Sequence, residues 1–84
     1  MAVELKEKTV LVTGGTGSFG RKVAAHLLES GCPEIRIFSR DEAKQETMRQ
    51  EFANDRLRFY IGDVRSSESV GRVMRGVDLV FHAA

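Results

Sequence analysis

Residues 13–20 read Thr-Gly-Gly-Thr-Gly-Ser-Phe-Gly and follow the apolar run Val10, Leu11, Val12. Gly14, Gly15, Gly17 and Gly20 crowd into this stretch, at an entropic cost that an ordinary turn has no need of. Gly15, Gly17 and Gly20 satisfy G-x-G-x-x-G, and Gly14, Gly17 and Gly20 satisfy T-G-x-x-G-x-x-G. Between a buried strand and an amphipathic helix, that spacing suits an anion. The first glycine turns the chain out of the strand, Gly17 lets backbone approach phosphates, and Gly20 lets the helix pack on the strand. The N–H groups around Ser18 to Gly20 and the helix dipole would face the charge, and the Ser18 hydroxyl adds a donor. The chemistry indicated is capture of a dinucleotide's pyrophosphate. The alternative is a tight turn with no ligand.

A second signal lies after the next apolar segment, which ends Phe38-Ser39-Arg40-Asp41. Arg40 stands 20 positions after Gly20, the offset at which the adenosine ribose is read. A guanidinium there offers a bidentate fork to a 2′-phosphate, Ser39 another donor, and Lys44 a point charge. This favours NADP, and Asp41 leaves NAD as the alternative. Arg40 and Lys44 also fit as solvated residues of a helix's first turn, where cations are mildly unfavourable. Asp63 in Gly62-Asp63-Val64-Arg65 would accept from an adenine amino group, with Val64 against the ring, or cap the helix that comes next.

A reacting half is missing from this inventory. The residue four after Tyr60 is Val64, so Tyr-x-x-x-Lys is absent, and so is Met-x-x-x-Lys. There is no metal cluster and no nucleophile–base pair, so no catalytic residue is assigned. His82 ends an apolar run with no evident partner, and His26 falls off the apolar stripe of its helix. Cys32 has no second cysteine to pair with, which fits a reducing compartment.

The elements that would position these residues alternate. Residues 9–13 form a short strand. Phe19, Val23 and Leu27, with Ala24 and Leu28, form the buried stripe of a helix that stops at Gly31-Cys32-Pro33. Ile35, Ile37 and Phe38 mark a second strand. Ser39 and Glu42 have capping-box spacing before a polar helix over residues 41–52, whose thin stripe is Ala43, Met48 and Phe52. Leu57, Phe59 and Ile61 alternate as a third strand. Val70, Val73, Met74 and Val77 have the spacing of a third helix, which Gly71 weakens. Met48 and Met74 read as core filler. Residues 79–82 form a fourth strand. The fold class is α/β: a Rossmann-type half domain, a four-stranded parallel sheet in order 3-2-1-4 with three crossover helices.

The 84 residues bound this to one small domain or part of a larger one, and the apolar fourth strand at an open edge points to the truncated N-terminal part of a longer protein. A net charge of +1 with scattered arginines indicates no nucleic-acid partner. The N-terminus lacks a signal-peptide core and no run approaches a membrane span, so no membrane partner and a cytoplasmic location are expected.

With these motifs placed, the sequence resembles the extended short-chain dehydrogenase/reductase superfamily. More narrowly it is similar to the C5-inverting 4,6-dehydratases of UDP-N-acetylglucosamine in bacterial polysaccharide biosynthesis. The resemblance rests on residues 10–20, on Ser39-Arg40-Asp41-Glu42 with Lys44-Gln45, on residues 59–65, and on Gly76-Val77-Asp78 through His82-Ala83-Ala84. It implies that Gly14, Thr16, Gly17, Ser18, Phe19 and Gly20 line the pyrophosphate and that Ser39, Arg40 and Lys44 hold the 2′-phosphate of NADP. Asp63 and Val64 would meet adenine, and Ala83 and Ala84 would pass beside the ribose and phosphates. The implied reaction oxidises sugar C4, eliminates water across C5 and C6, reduces C6 and reprotonates C5 from the opposite face. The family's catalytic lysine, its Tyr- or Met-x-x-x-Lys and its nucleotide-sugar domain would lie beyond Ala84, in a full-length protein expected to form homo-oligomers. Two other readings share the same residues: a non-catalytic dinucleotide-binding module, and the cofactor half of a UDP-sugar epimerase.

Overall fold

The structure, a computed structural model, describes residues 5–14 and 16–83. A 3-10 turn, Leu5–Glu7, leads into strand β1 (Thr9–Thr13), followed by α1 (Ser18–Glu29), β2 (Glu34–Ser39), α2 (Glu42–Phe52), β3 (Leu57–Ile61), α3 (Ser67–Val73) and β4 (Leu79–His82). All strand pairs are parallel, with Val10 opposite both Ile35 and Leu79, and Ile35 opposite Leu57. The sheet order is β3-β2-β1-β4, the expected Rossmann-type half domain. Short connections leave each helix to carry the chain back along the sheet, which fixes the parallel sense.

Burial on both faces makes β1 a continuous apolar run rather than an alternating one. Val10 and Val12 join Ile35, Ile37, Ala24, Leu27 and Met48 under α1 and α2. Leu11 faces the other way, against Phe38 and Val73, beneath α3. In β4, by contrast, Val80 and Phe81 are exposed. No described helix is long and apolar enough to cross a membrane.

Several expectations about the helices are corrected. In α1 the buried residues are Gly20, Ala24 and Leu27, with Val23 and Leu28 half-buried, and Phe19 is 62% exposed at the helix start. In α2, Gln45 and Met48 are buried and Ala43 is exposed. Gln45, Met48 and half-buried Phe52 follow i, i+3, i+7, and Ala43 lies about half a turn away from Gln45. The cap of α2 is Asp41, whose Oδ1 accepts from the Lys44 N–H at 3.0 Å. Ser39 is still strand, and its carbonyl accepts from the Gly62 N–H at 3.0 Å.

Helix α3 ends at Val73, so Met74 and Val77 do not extend its stripe. Met74 is 39% exposed, not core, and Val77 packs on the Leu11–Phe38–Val73 cluster from outside the helix. Arg36 of β2 explains the stop. Its Nη1 donates to the carbonyls of Val73 (2.8 Å) and Arg75 (2.6 Å), taking acceptors that another turn would use. Gly76 then turns the chain at φ 74°.

Two glycines give opposite expectations. A Cβ on Gly71 would meet nothing within 4 Å, so Gly71→Ala should stabilise the protein by about 0.5–1 kcal/mol through helix propensity, read as a higher urea midpoint. A Cβ on Gly62 would stand 2.7 Å from Cζ of the buried Phe38 ring and nearer still to its Cε1. Gly62→Ala should therefore cost about 1–3 kcal/mol by overpacking, read as a lower midpoint.

Candidate functional site

Because the strands are parallel, Thr13, Ser39, Ile61 and His82 all end at one edge of the sheet, and the loops after them converge there. Ligands of open α/β sheets bind outside this carboxyl edge. After β1 the chain turns at Gly14, with φ 67°, a conformation that disfavours any side chain. The Gly14 N–H donates to the Phe38 carbonyl at 2.8 Å, and the Gly14 carbonyl accepts from the Gly17 N–H at 3.3 Å. Thr16 is buried, and Gly17, Ser18 and Phe19 are exposed at the helix start. Gly15 lies outside the described residues.

Gly17 is the N-cap of α1 and supplies no side-chain cap. The first intrahelical bond runs from the Arg21 N–H to the Gly17 carbonyl at 2.9 Å. The N–H groups of Ser18, Phe19 and Gly20 precede it and point out of the helix end. Among the described residues a Cβ on Gly17 would meet only the Gly14 carbonyl oxygen, at an ordinary 3.6 Å, and φ is −78°. Neither backbone conformation nor packing within the described chain therefore requires glycine at this position.

Two clefts adjoin this loop. One, of about 390 Å³, is lined by Gly14, Phe38, Ser39, Arg40, Gly62, Asp63, Val64 and Arg65. The other, a more open groove of about 590 Å³, is lined by Thr16, Ser39, Arg40, Asp41 and Glu42. Ser39 and Arg40 form the wall between them. Lys44, one turn into α2, lines neither. The structure thus brings together most of the residues singled out from the sequence. Ala83 is also close, since its N–H donates to the Thr13 carbonyl at 2.8 Å, and Ala84 lies outside the described residues.

Asp63 does not cap α3. That cap is Ser66, whose hydroxyl accepts from the Ser69 N–H at 3.3 Å. Asp63 instead accepts from the Arg65 guanidinium at 2.8 Å and from the Arg65 N–H at 2.9 Å, with Arg40 at 3.8 Å. These donors, Arg65 foremost, lower its pKa to about 2, so at neutral pH it presents a carboxylate to the first cleft. His82 is not unpaired: its Nδ1 lies 2.5 Å from the Thr13 hydroxyl, its register neighbour on β1. Cys32 is buried before β2, at the opposite edge of the sheet from the site, and burial pushes its thiol pKa up, away from reactive thiolate.

Two residues of the site escaped the sequence reading. Gln45 is 2% exposed, and its Nε2 donates to the Tyr60 carbonyl (2.8 Å) and to Ser39 Oγ (3.0 Å). Its helical spacing to Met48 and Phe52 was the available signal. Gly62 is the other, and no local pattern marks its contact with Phe38. Among the described residues no group of His, Cys, Asp and Glu is arranged to hold a metal. The arrangement suits capture of an anion and a planar ring.

Comparison with known proteins agrees with this fold. Residues 10–84 match the family described as polysaccharide biosynthesis protein. A UDP-glucose 4-epimerase of Rickettsia akari is 57% identical over 82 residues, 93% of this chain and 24% of the relative. One from Rickettsia prowazekii is 56% identical over the same shares. The chain thus spans about a quarter of the length of the curated relatives it matches, 24%. The X-ray structure of Pen from Bacillus thuringiensis superposes with a TM-score of 0.93 at 37% identity, covering 98% of this chain and 27% of that one. WbmF of Bordetella bronchiseptica, solved with NAD+ and UDP, shares the fold with a TM-score of 0.80 at 23% identity, covering 99% of this chain and 24% of that one.

Proposed function

This chain belongs to the polysaccharide biosynthesis protein family, and from that premise we propose that it is the NADP-holding N-terminal part of an enzyme that transforms a nucleotide sugar. One observation carries the proposal. Among the described residues nothing clashes with a side chain at Gly17, whose φ is −78°, and glycine at this N-cap leaves room for a group outside the fold to approach the backbone. The uncapped start of α1 beside it suits a pyrophosphate. Gly14, Thr16, Gly17, Ser18, Phe19 and Gly20 would surround that group. Asp63 and Val64 would hold adenine in the first cleft, and Ser39 and Arg40 would hold a 2′-phosphate in the second. Lys44 would act only through its charge. Asp41 and Glu42 line the same groove and support NAD as the alternative cofactor. The Asp41 carboxylate, however, is already engaged in capping α2.

Once bound, the dinucleotide supplies a reversible two-electron acceptor for an alcohol carbon. This chain's residues bind and orient it. The proton relay would come from the rest of the full-length protein. Our reading of the whole is 4,6-dehydration of UDP-N-acetylglucosamine with inversion at C5, supported by the Ser39-Arg40-Asp41-Glu42 and Lys44-Gln45 segments. The second reading, a UDP-sugar 4-epimerase, is supported by the names of the Rickettsia relatives. The two share oxidation at C4 and differ in the steps after it.

Mass spectrometry separates them. The full-length protein should convert UDP-N-acetylglucosamine to a product lighter by one water. A product of unchanged mass from this sugar or from UDP-glucose, resolved by chromatography, would replace the dehydratase with the epimerase. Conversion of neither, with NADP+ still bound, would leave a binding module.

A further inference from the structure

The Ser39 hydroxyl is not free to point either way. Gln45 fixes it, and Gln45 is itself fixed. One hydrogen of its amide goes to the Tyr60 carbonyl at 2.8 Å, and a carbonyl oxygen can only accept, so the atom facing it must be the NH₂. The other hydrogen of that NH₂ reaches Ser39 Oγ at 3.0 Å, nearer than the Ser39 carbonyl oxygen at 3.5 Å. The amide is buried, so this geometry is not shared with bulk water.

The consequence falls on Ser39. Its oxygen is made an acceptor on the Gln45 side, and its single hydrogen must be donated elsewhere. Among the described residues that hydrogen has no partner, and Ser39 lines the groove beside Arg40. We infer that Gln45 is a positioning residue that aims the Ser39 hydroxyl proton into the groove, so that Ser39 and Arg40 together present donors to an acceptor-only group, a phosphate, in preference to a ribose hydroxyl. The inference rests on the proposed placement of the 2′-phosphate and deepens it: preference between the two cofactors is set partly by a buried amide that touches neither. Gln45 acts by removing an alternative. Without it, nothing holds the Ser39 oxygen as an acceptor, and its proton is free to turn away from the groove.

The test is the ratio of NADP+ to NAD+ affinity in the full-length protein, measured by titration calorimetry. Gln45→Met keeps the volume and removes the donor. It should lower the ratio about tenfold, the worth of one hydrogen bond to a charged group. In a Ser39→Ala background the same change should have no further effect on the ratio. Equal weakening of both cofactors would make Gln45 merely structural and overturn the inference, as would an unchanged ratio or an undiminished effect in the Ser39→Ala background.

Arg40→Ala and Ser39→Ala serve as controls. If they lower the ratio and Gln45→Met does not, the inference fails alone. If neither lowers it, the 2′-phosphate placement fails and the inference falls with it. Should Gln45→Met not fold, the side-chain amide resonances of Gln45 in the unsubstituted protein provide an independent readout. They should shift with adenosine 2′,5′-bisphosphate and not with adenosine 5′-phosphate, and an equal response to both would overturn the inference.

Discussion

Gly17→Ala is expected to weaken dinucleotide binding by roughly ten- to a hundredfold while the unfolding midpoint without cofactor stays within about 0.5 kcal/mol of its starting value. The two halves of this expectation have separate causes. Among the described residues the added methyl meets only the Gly14 carbonyl oxygen, at 3.6 Å, and φ −78° is open to alanine. The fold loses the modest N-cap preference for glycine over alanine, which the smaller unfolded-state entropy of alanine offsets. Toward the ligand the methyl stands where backbone is proposed to approach phosphate, and displacing one charge-assisted contact costs about 1.5–3 kcal/mol. Calorimetric titration of the full-length variant with NADP+, beside urea unfolding, reads both. Unchanged affinity would move the phosphate away from Gly17. Lost stability at unchanged affinity would make the glycine a folding requirement.

Arg40→Ala is expected to raise the NADP+ dissociation constant roughly ten- to a hundredfold and to leave that of NAD+ within about threefold. Arg40 is 70% exposed, and its described ion pair is the 3.8 Å contact with Asp63, so its removal should barely touch stability. Its proposed work lies with a 2′-phosphate, which NAD lacks. Loss of affinity by equal factors would remove the 2′-phosphate from this groove and hand the site to the Asp41 reading.

The alternation of apolar runs and glycine-marked turns carried the sheet order, because short connections leave parallel pairing few alternatives. The main glycine loop was legible for a related reason. Its pattern is local: Gly14 turns the chain at φ 67° and Gly20 is buried one turn into the helix. What the sequence hid depends on distant partners. Gln45 reads as one more polar residue of a polar helix until β2 and β3 bring Ser39 and Tyr60 beneath it. Gly62 reads as a strand end until the Phe38 ring lies against it. The helix caps were misread for a different reason. Ser39 and Asp41 both have capping chemistry, and so do Asp63 and Ser66. The choice is made by where the strand pairing and the loop end, which spacing alone does not record. Phe19 fits the α1 stripe on periodicity, yet it stands at the helix start, beyond the reach of the sheet.

The last two carbonyls of β2 have a wider consequence. Phe38 accepts the Gly14 amide on one side and Ser39 accepts the Gly62 amide on the other, at 2.8 and 3.0 Å. The loops flanking the cleft are thereby tied to the same strand end before a ligand arrives. At these two anchor points conformational entropy is given up during folding rather than during binding, which lowers the ordering cost a ligand must meet. Capture by such a frame would need no rearrangement at Gly14 or Gly62.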